Sequence, residues 1–274
     1  VAAAIPRRVE DVAVQVRVTG EFRAFPPQAN KGKPGGGGGN GGKVDLKKRI
    51  RPIPNGASVG NNLECASGTM GAVVVKGGKK YALSNNHVFA RENAANIGEV
   101  IVQPGRYDNK PICADKSATD RMGVLSDYAP LSFGGGTNTI DAAIAELDAS
   151  INVTCAPPTG TYGRLSGGTA SATLNLPIQK VGRTSGLTTG TITVINATVT
   201  VGYSTGNATF TGQFVTTSSF SRSGDSGSLI VTNTGDGTED AVGLLFAGTN
   251  SGTTIGNPIA PVLTRFGNPS FCVN

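Results

Sequence analysis

The sequence predicts an all-β protein, and three observations carry the prediction. Forty of the 274 residues are glycine and only 15% are charged. Runs rich in Thr, Ser, Val and Asn recur as short segments between turn residues. Helical periodicity is scarce. A chain of this length buries a sizeable core without staples, as one large β domain or two small ones. No stretch approaches ~18 uninterrupted apolar residues, and the N-terminus lacks the basic-then-apolar pattern of a signal peptide. The expectation is therefore a soluble chain without a membrane span, trimmed or processed to begin at Val1.

Along the chain, Val12, Val14, Val16 and Val18 alternate with polar residues, so residues 1–25 hold a half-buried strand. From Pro26 the run PPQANKGKPGGGGGNGGK has no apolar period, and residues 26–52 read as a Gly-rich basic linker. Short strands follow at Gly71–Val75, Tyr81–Ser84, Val100–Gln103, Ile140–Ala145, Gln179–Val181, Thr191–Val201, Gln213–Thr217, Leu229–Val231 and Ala241–Phe246. Many strands with no helices between them imply a barrel or sandwich. One helix is expected late, with Asn257 as N-cap, Pro258 at its first position, Ile259, Val262, Leu263 and Phe266 on one face, and Gly267 as stop.

The net charge of +6 is unevenly placed. Residues 1–52 hold eleven Lys/Arg against four acids, leaving thirteen Lys/Arg and fourteen acids in the remainder. The basic arm lacks interleaved aromatic residues, so a solvated extension is the better reading and nucleic acid is disfavoured as a partner. Four cysteines show no C-x-x-C spacing, and a single histidine argues against zinc. An even count suits an oxidising compartment, secreted or in the cell envelope; four free thiols in the cytoplasm are the alternative. If bridges form, Cys113–Cys155 would tie down the segment between them, leaving Cys65–Cys272.

Ser226 lies in Ser223-Gly-Asp-Ser-Gly-Ser228, just before the apolar run Leu229-Ile-Val231. Flanking glycines let the backbone turn tightly and aim N–H groups at one point, where an oxyanion could be held. The bland alternative is a polar Gly/Ser turn. A serine hydroxyl needs a base with a pKa near 7, and His87, the only histidine, ends a β-like run. Asp141 sits in the otherwise apolar segment Ile140–Ala145, where a charge is costly unless partnered, and it would fix the imidazole tautomer. An exposed Asp on an amphipathic helix fits the same pattern, since Ile140, Ile144 and Leu147 share helical spacing.

The order His87, Asp141, Ser226, together with Gly224-Asp-Ser-Gly-Ser228 and Cys65-Ala-Ser-Gly-Thr-Met-Gly-Ala-Val73, resembles the chymotrypsin-like (trypsin-like) serine peptidases over about residues 50–267. Leu83-Ser-Asn-Asn-His-Val88, Val181-Gly-Arg-Thr-Ser-Gly186, Val242-Gly-Leu-Leu-Phe-Ala-Gly248 and Asn257-Pro-Ile259 look most like the bacterial and plant Narrow-leaf-type group. Asn-Asn-His-Val is also similar to HtrA-type peptidases, whose nucleophile loop usually has Asn in place of Asp225.

This resemblance implies a two-barrel fold, with residues 53–158 in the first β-barrel and 159–274 in the second barrel with its C-terminal helix. It implies a serine endopeptidase that hydrolyses polypeptides through an acyl-enzyme, using His87, Asp141 and Ser226, with no cofactor. Gly224 and Ser226 would form the oxyanion hole, and a buried Asp225 would pair with Arg183, whose plain alternative is a surface arginine in a hairpin. Phe246 stands where animal relatives carry a serine that faces the triad carboxylate, so Asp141 is expected to have fewer hydrogen-bond partners. Phe220, six positions before the nucleophile, together with Phe246, Ala247 and Gly248, implies a pocket for an apolar or small side chain. The alternatives are an autoprocessing protease with an upstream pro-segment or tether, and an inactive peptide-binding protein.

Overall fold

The computed structural model describes residues 8–9, 12–13, 21–24 and 44–273. Residues 1–7, 10–11, 14–20 and 25 of the expected N-terminal strand segment and 26–43 of the expected linker lie outside the described residues. β1 (Arg8–Val9) pairs antiparallel with β2 (Val12–Ala13), and β3 (Phe22–Arg23) joins a distant sheet. Residues 44–52 are packed: Leu46 enters the core between the sheets, and the Arg49 guanidinium lies 3.3 Å from Asp120.

The first sheet is built from β4 (Ser58–Asn61), β5 (Gly68–Thr69), β6 (Ala72–Lys76), β7 (Lys79–Ser84), β8 (Val100–Val102) and β9 (Arg121–Tyr128), with β11 (Ala143–Leu147) between β7 and β9. Two short helices interrupt it, α1 (Asn86–Phe89) and α2 (Ser117–Asp120). β6 and β7 are joined by Gly77 and Gly78, both with positive φ, the backbone that a two-residue hairpin turn requires. At the far end of the strand order β5 leads through Met70–Gly71 into β6, so the sheet curls on itself around Val59, Met70, Val73, Phe89, Ile101, Met122 and Leu125.

The second sheet takes β10 (Thr137–Asn138) and then β12 (Arg164–Thr169), β13 (Pro177–Gly182), β14 (Gly186–Gly202), β15 (Asn207–Thr216), β16 (Leu229–Thr232), β17 (Thr238–Gly248) and β18 (Thr254–Pro258). Its path β15–β18–β17–β16–β13–β14 closes through the long β14–β15 hairpin, giving a barrel filled by Ile178, Ile192, Phe214, Phe220, Ile230, Val242 and Leu245. α3 (Ile259–Arg265) follows, and β19 (Ser270–Phe271) returns to pair with β6 of the first sheet. Leu83, Ile144, Leu229, Leu244, Val262, Phe266 and Phe271 form a shared core that binds the two barrels together.

The structure corrects three sequence expectations here. The cysteines pair as Cys65–Cys113 and Cys155–Cys272, not as Cys113–Cys155 and Cys65–Cys272. The first joins the β4–β5 loop to the connection between β8 and α2, and the second ties the start of the inter-barrel connection to the end of β19. Asn257 is no helix cap: it lies within β18, Pro258 takes the cap position, and the Asn257 side chain is buried. Asp141 lies on an extended segment just before β11, so the helical reading of Ile140–Leu147 falls. Among the described residues, no helix is long and apolar enough to cross a membrane.

Candidate active site

His87 sits on the single turn of α1, which starts where β7 ends, so the first barrel fixes the imidazole directly. Its Nδ1 lies 2.6 Å from Asp141 Oδ2, and its main-chain N–H donates to Asp141 Oδ1 at 3.3 Å. An ionised carboxylate can only accept, so Nδ1 carries the proton and Nε2 of the neutral ring is left as the base. Burial alone depresses the imidazole pKa. The charge and hydrogen bond of Asp141 outweigh that cost, and the His87 pKa stands above its ordinary value.

Asp141 is fully buried and has more partners than the sequence implied. Phe246 does occupy the neighbouring strand without a hydroxyl, but the Tyr203 hydroxyl, reaching over from the end of the β14–β15 hairpin, donates to Asp141 Oδ2 at 2.8 Å. The Tyr203 ring meets the His87 ring edge to face at 5.9 Å. Burial, and then the charge of Asp141, hold the phenol well above its ordinary pKa, so it remains a donor. Asn85 Nδ2 donates to the Asp141 carbonyl at 2.7 Å, and Asn257 Oδ1 accepts from the Asp141 N–H at 3.0 Å.

The hairpin tip is itself fastened to the histidine loop. Residues 91–93 turn through three successive left-handed conformations, which brings Glu92 across to the Ser204 and Thr205 N–H groups at 3.1 and 2.8 Å and to the Ser204 hydroxyl at 2.8 Å. Burial opposes ionisation of Glu92, but these donors overcome it and lower the pKa.

Ser226 enters from the second barrel on the tight loop before β16. Thr69 of β5 holds this loop from the other side: its N–H donates to the Ser226 carbonyl at 2.7 Å, and its hydroxyl to the Gly224 carbonyl at 2.9 Å. A Cβ at Gly68 would strike Val88, the neighbour of His87, at 2.5 Å and the Ser226 carbonyl at 3.0 Å. Only glycine lets α1 and the serine loop approach this closely. Ser226 Oγ and His87 Nε2 are both buried, and neither has a hydrogen-bond partner among the described residues. Gly224 has φ +91°, and the N–H groups of Asp225, Gly227 and Ser228 donate to main-chain carbonyls. Those of Gly224 and Ser226 have no acceptor among the described residues.

The expected ion pair of Asp225 with Arg183 does not form. Asp225 Oδ2 lies 3.2 Å from Lys180 Nζ, with both side chains wholly buried, and Asp225 also accepts from the main-chain N–H groups of Thr184, Ser185 and Arg222 and from the Ser185 hydroxyl. Burial raises the Asp225 pKa, but the Lys180 charge and these donors prevail and the net shift is downward; burial lowers that of Lys180 against the pull of Asp225. Arg183 instead crosses to the first barrel. Its Nε lies 2.6 Å from Asp108 Oδ2, its Nη2 pairs with Oδ1, and its main-chain N–H donates to the Thr69 hydroxyl at 3.0 Å. Arg183 therefore clamps the barrels beneath Gly224, while Lys180 neutralises Asp225.

The residues expected to line a pocket separate into two groups. Phe220 is buried in the interior of the second barrel, whereas Phe246 and Ala247 join Val201, Phe210, Ala208 and Ala24 in another cluster. Gly248 lies at the end of β17, paired with β18 and with β3. Sequence reading missed the roles of Lys180, Tyr203, Asn85 and Asn257. Lys180 carried a signal as the one charged residue of the expected strand Gln179–Val181, and Asn85 and Asn257 stood in quoted motifs.

No family model matches the sequence, and neither does any curated protein. Solved structures do match. Thermobifida fusca protease A superposes with a TM-score of 0.58 at 20% identity, over 81% of this chain and 99% of that one. Nocardiopsis protease gives 0.56 at 21% identity, over 80% and 98%. Cellulomonas bogoriensis chymotrypsin gives 0.54 at 19% identity, over 81% and 99%. The fold is thus the two-barrel chymotrypsin-like one with a short closing helix.

Proposed function

We propose that this chain, which has the two-barrel architecture of the serine proteases it resembles, is a serine endopeptidase. His87 Nε2 takes the proton of Ser226, whose Oγ attacks the peptide carbonyl. The N–H groups of Gly224 and Ser226 hold the oxyanion, His87 protonates the leaving amine, and water then hydrolyses the acyl-enzyme by the same steps. Asp141 orients the ring and stabilises its charged form. The substrate is a polypeptide, and the motifs around His87 and Gly248 favour the Narrow-leaf-type group. Two disulfides favour an oxidising compartment.

One observation carries the reading: a histidine held at 2.6 Å by a buried aspartate, with its free nitrogen and the hydroxyl of Ser226 both buried and unpaired. Buried polar atoms are rarely left without partners, and such exceptions concentrate at reactive sites. A fluorophosphonate probe tests it. One probe per wild-type chain, with cleavage of casein or a peptide library, is expected; Ser226→Ala is expected to lose both. Unlabelled wild-type protein would overturn the assignment.

A further inference from the structure

β3 reaches the second barrel as an added strand. Arg23 pairs antiparallel with Gly248 at the end of β17, while Phe22 and Arg23 run parallel to Val201 and Gly202 of β14. The Ala24 N–H donates to the Gly202 carbonyl at 3.0 Å. Ala24 is only 4% exposed and belongs to the cluster of Phe246, Ala247 and Val201, against which Phe22 and Tyr203 also pack. An extended peptide therefore lies beside the residue that touches Asp141.

The direction of this strand matters as much as its place. Because it is antiparallel to β17, stepping from Arg23 to Ala24 moves from Gly248 back toward Phe246 and Leu245. Leu245 is where β17 is bonded to the serine loop, its carbonyl accepting from Gly227 and its N–H donating to the Ser228 carbonyl. The strand is thus aimed at Ser226. Phe25-Pro26-Pro27 follows in the sequence, and prolines have no N–H with which to continue a ladder.

We infer that Glu21–Ala24 occupies the peptide groove of its own chain, as a tethered competitor of the substrate. The groove accordingly takes an extended polypeptide by strand addition, with an alanine-sized side chain seated at the Phe246–Ala247 cluster. This rests on the peptidase reading for its catalytic meaning, although occupancy of the groove can be measured without it. A segment joined to its site competes at high effective concentration, and the apparent affinity of any free peptide falls by the fraction of time the groove is closed.

Binding is tested in the full chain carrying Ser226→Ala, by calorimetric titration with acetyl-Glu-Phe-Arg-Ala-Phe-amide. Adding Arg23→Pro removes the strand's N–H, and adding Ala24→Asp places a charge in an apolar seat. Both variants are expected to bind the peptide about tenfold more tightly than the chain with the unmodified segment does. Equal affinity in all three chains, each with an unchanged melting temperature, would overturn the inference. In chains retaining Ser226, a small fluorophosphonate is expected to label with and without Arg23→Pro, while hydrolysis of a tetrapeptide ester rises about tenfold only with it. Failure of all labelling would sink the peptidase reading and leave the titration to decide whether the groove is occupied.

Discussion

On the proposed reading, the acid–base half of the site and the nucleophile half are secured by different means. His87 and Asp141 belong to the first barrel, yet two of the contacts that fix them come from the second, through Tyr203 and Asn257, while Asn85 from the start of α1 supplies a third. Ser226 is held by main-chain bonds and by Asp225, which is anchored within its own barrel by Lys180. Thr69 is the exception, reaching across to both Gly224 and Ser226. The first half is a tuned acid–base pair whose failure changes chemistry. The second is a shaped loop whose failure changes shape and stability together.

The largest expected effect tests the first half. Asp141→Asn keeps the size of the side chain but can hold the wrong imidazole tautomer, and kcat should fall about 10⁴-fold with little change in melting temperature. Stopped assays with a peptide ester check it, and a loss under tenfold would break the contrast.

Lys180→Met should strike the second half differently. It leaves Asp225 charged and buried without its cation, at a cost of about 3–5 kcal/mol. Denaturant unfolding should register that loss alongside reduced labelling of Ser226, whereas Arg183→Leu should leave Asp225 paired and labelling largely intact. Equal effects of the two substitutions would return Asp225 to Arg183.

Tyr203→Phe is milder. Removing one donor to a carboxylate costs about 1–2 kcal/mol, so kcat/KM should drop about tenfold at unchanged stability. A proportionate loss of stability would mean that Tyr203 is packing alone.

The smallest effect is the pH dependence of the native chain. The His87 pKa is raised, so the protonated pair with Asp141 contributes stability that is fully present below the unfolded value near 6.5 and lost as pH rises through the higher folded value. Catalysis needs the neutral ring, so activity should appear on the alkaline side of that same titration. An acid limb in kcat/KM below pH 6.5 would contradict the electrostatics of the pair.

Much of this was legible in the sequence because it was local. Short continuous apolar runs such as Ala72–Val75 and Leu229–Val231 fall on observed strands, and a serine beside glycines or a lone histidine is visible without a fold. β9 escaped notice because Gly123, Ser126 and Asp127 break the apolar alternation within it. Partners across barrels escaped for another reason: nothing near Tyr203 in its Gly202–Gly206 turn signals that it will meet Asp141, 62 residues away. The exchange of Arg183 for Lys180 is of the same kind. Lys180 lies within β13 and Arg183 in the turn that follows it, both more than forty residues from Asp225, and no local pattern tells which of the two reaches it.

The route of the chain after α3 has its own consequence. Ser270–Phe271 completes an edge of the first sheet, and Cys272 is bonded to Cys155, yet both are synthesised after the whole second barrel. On the ribosome the first barrel must therefore wait, one edge bare, until its sibling has emerged.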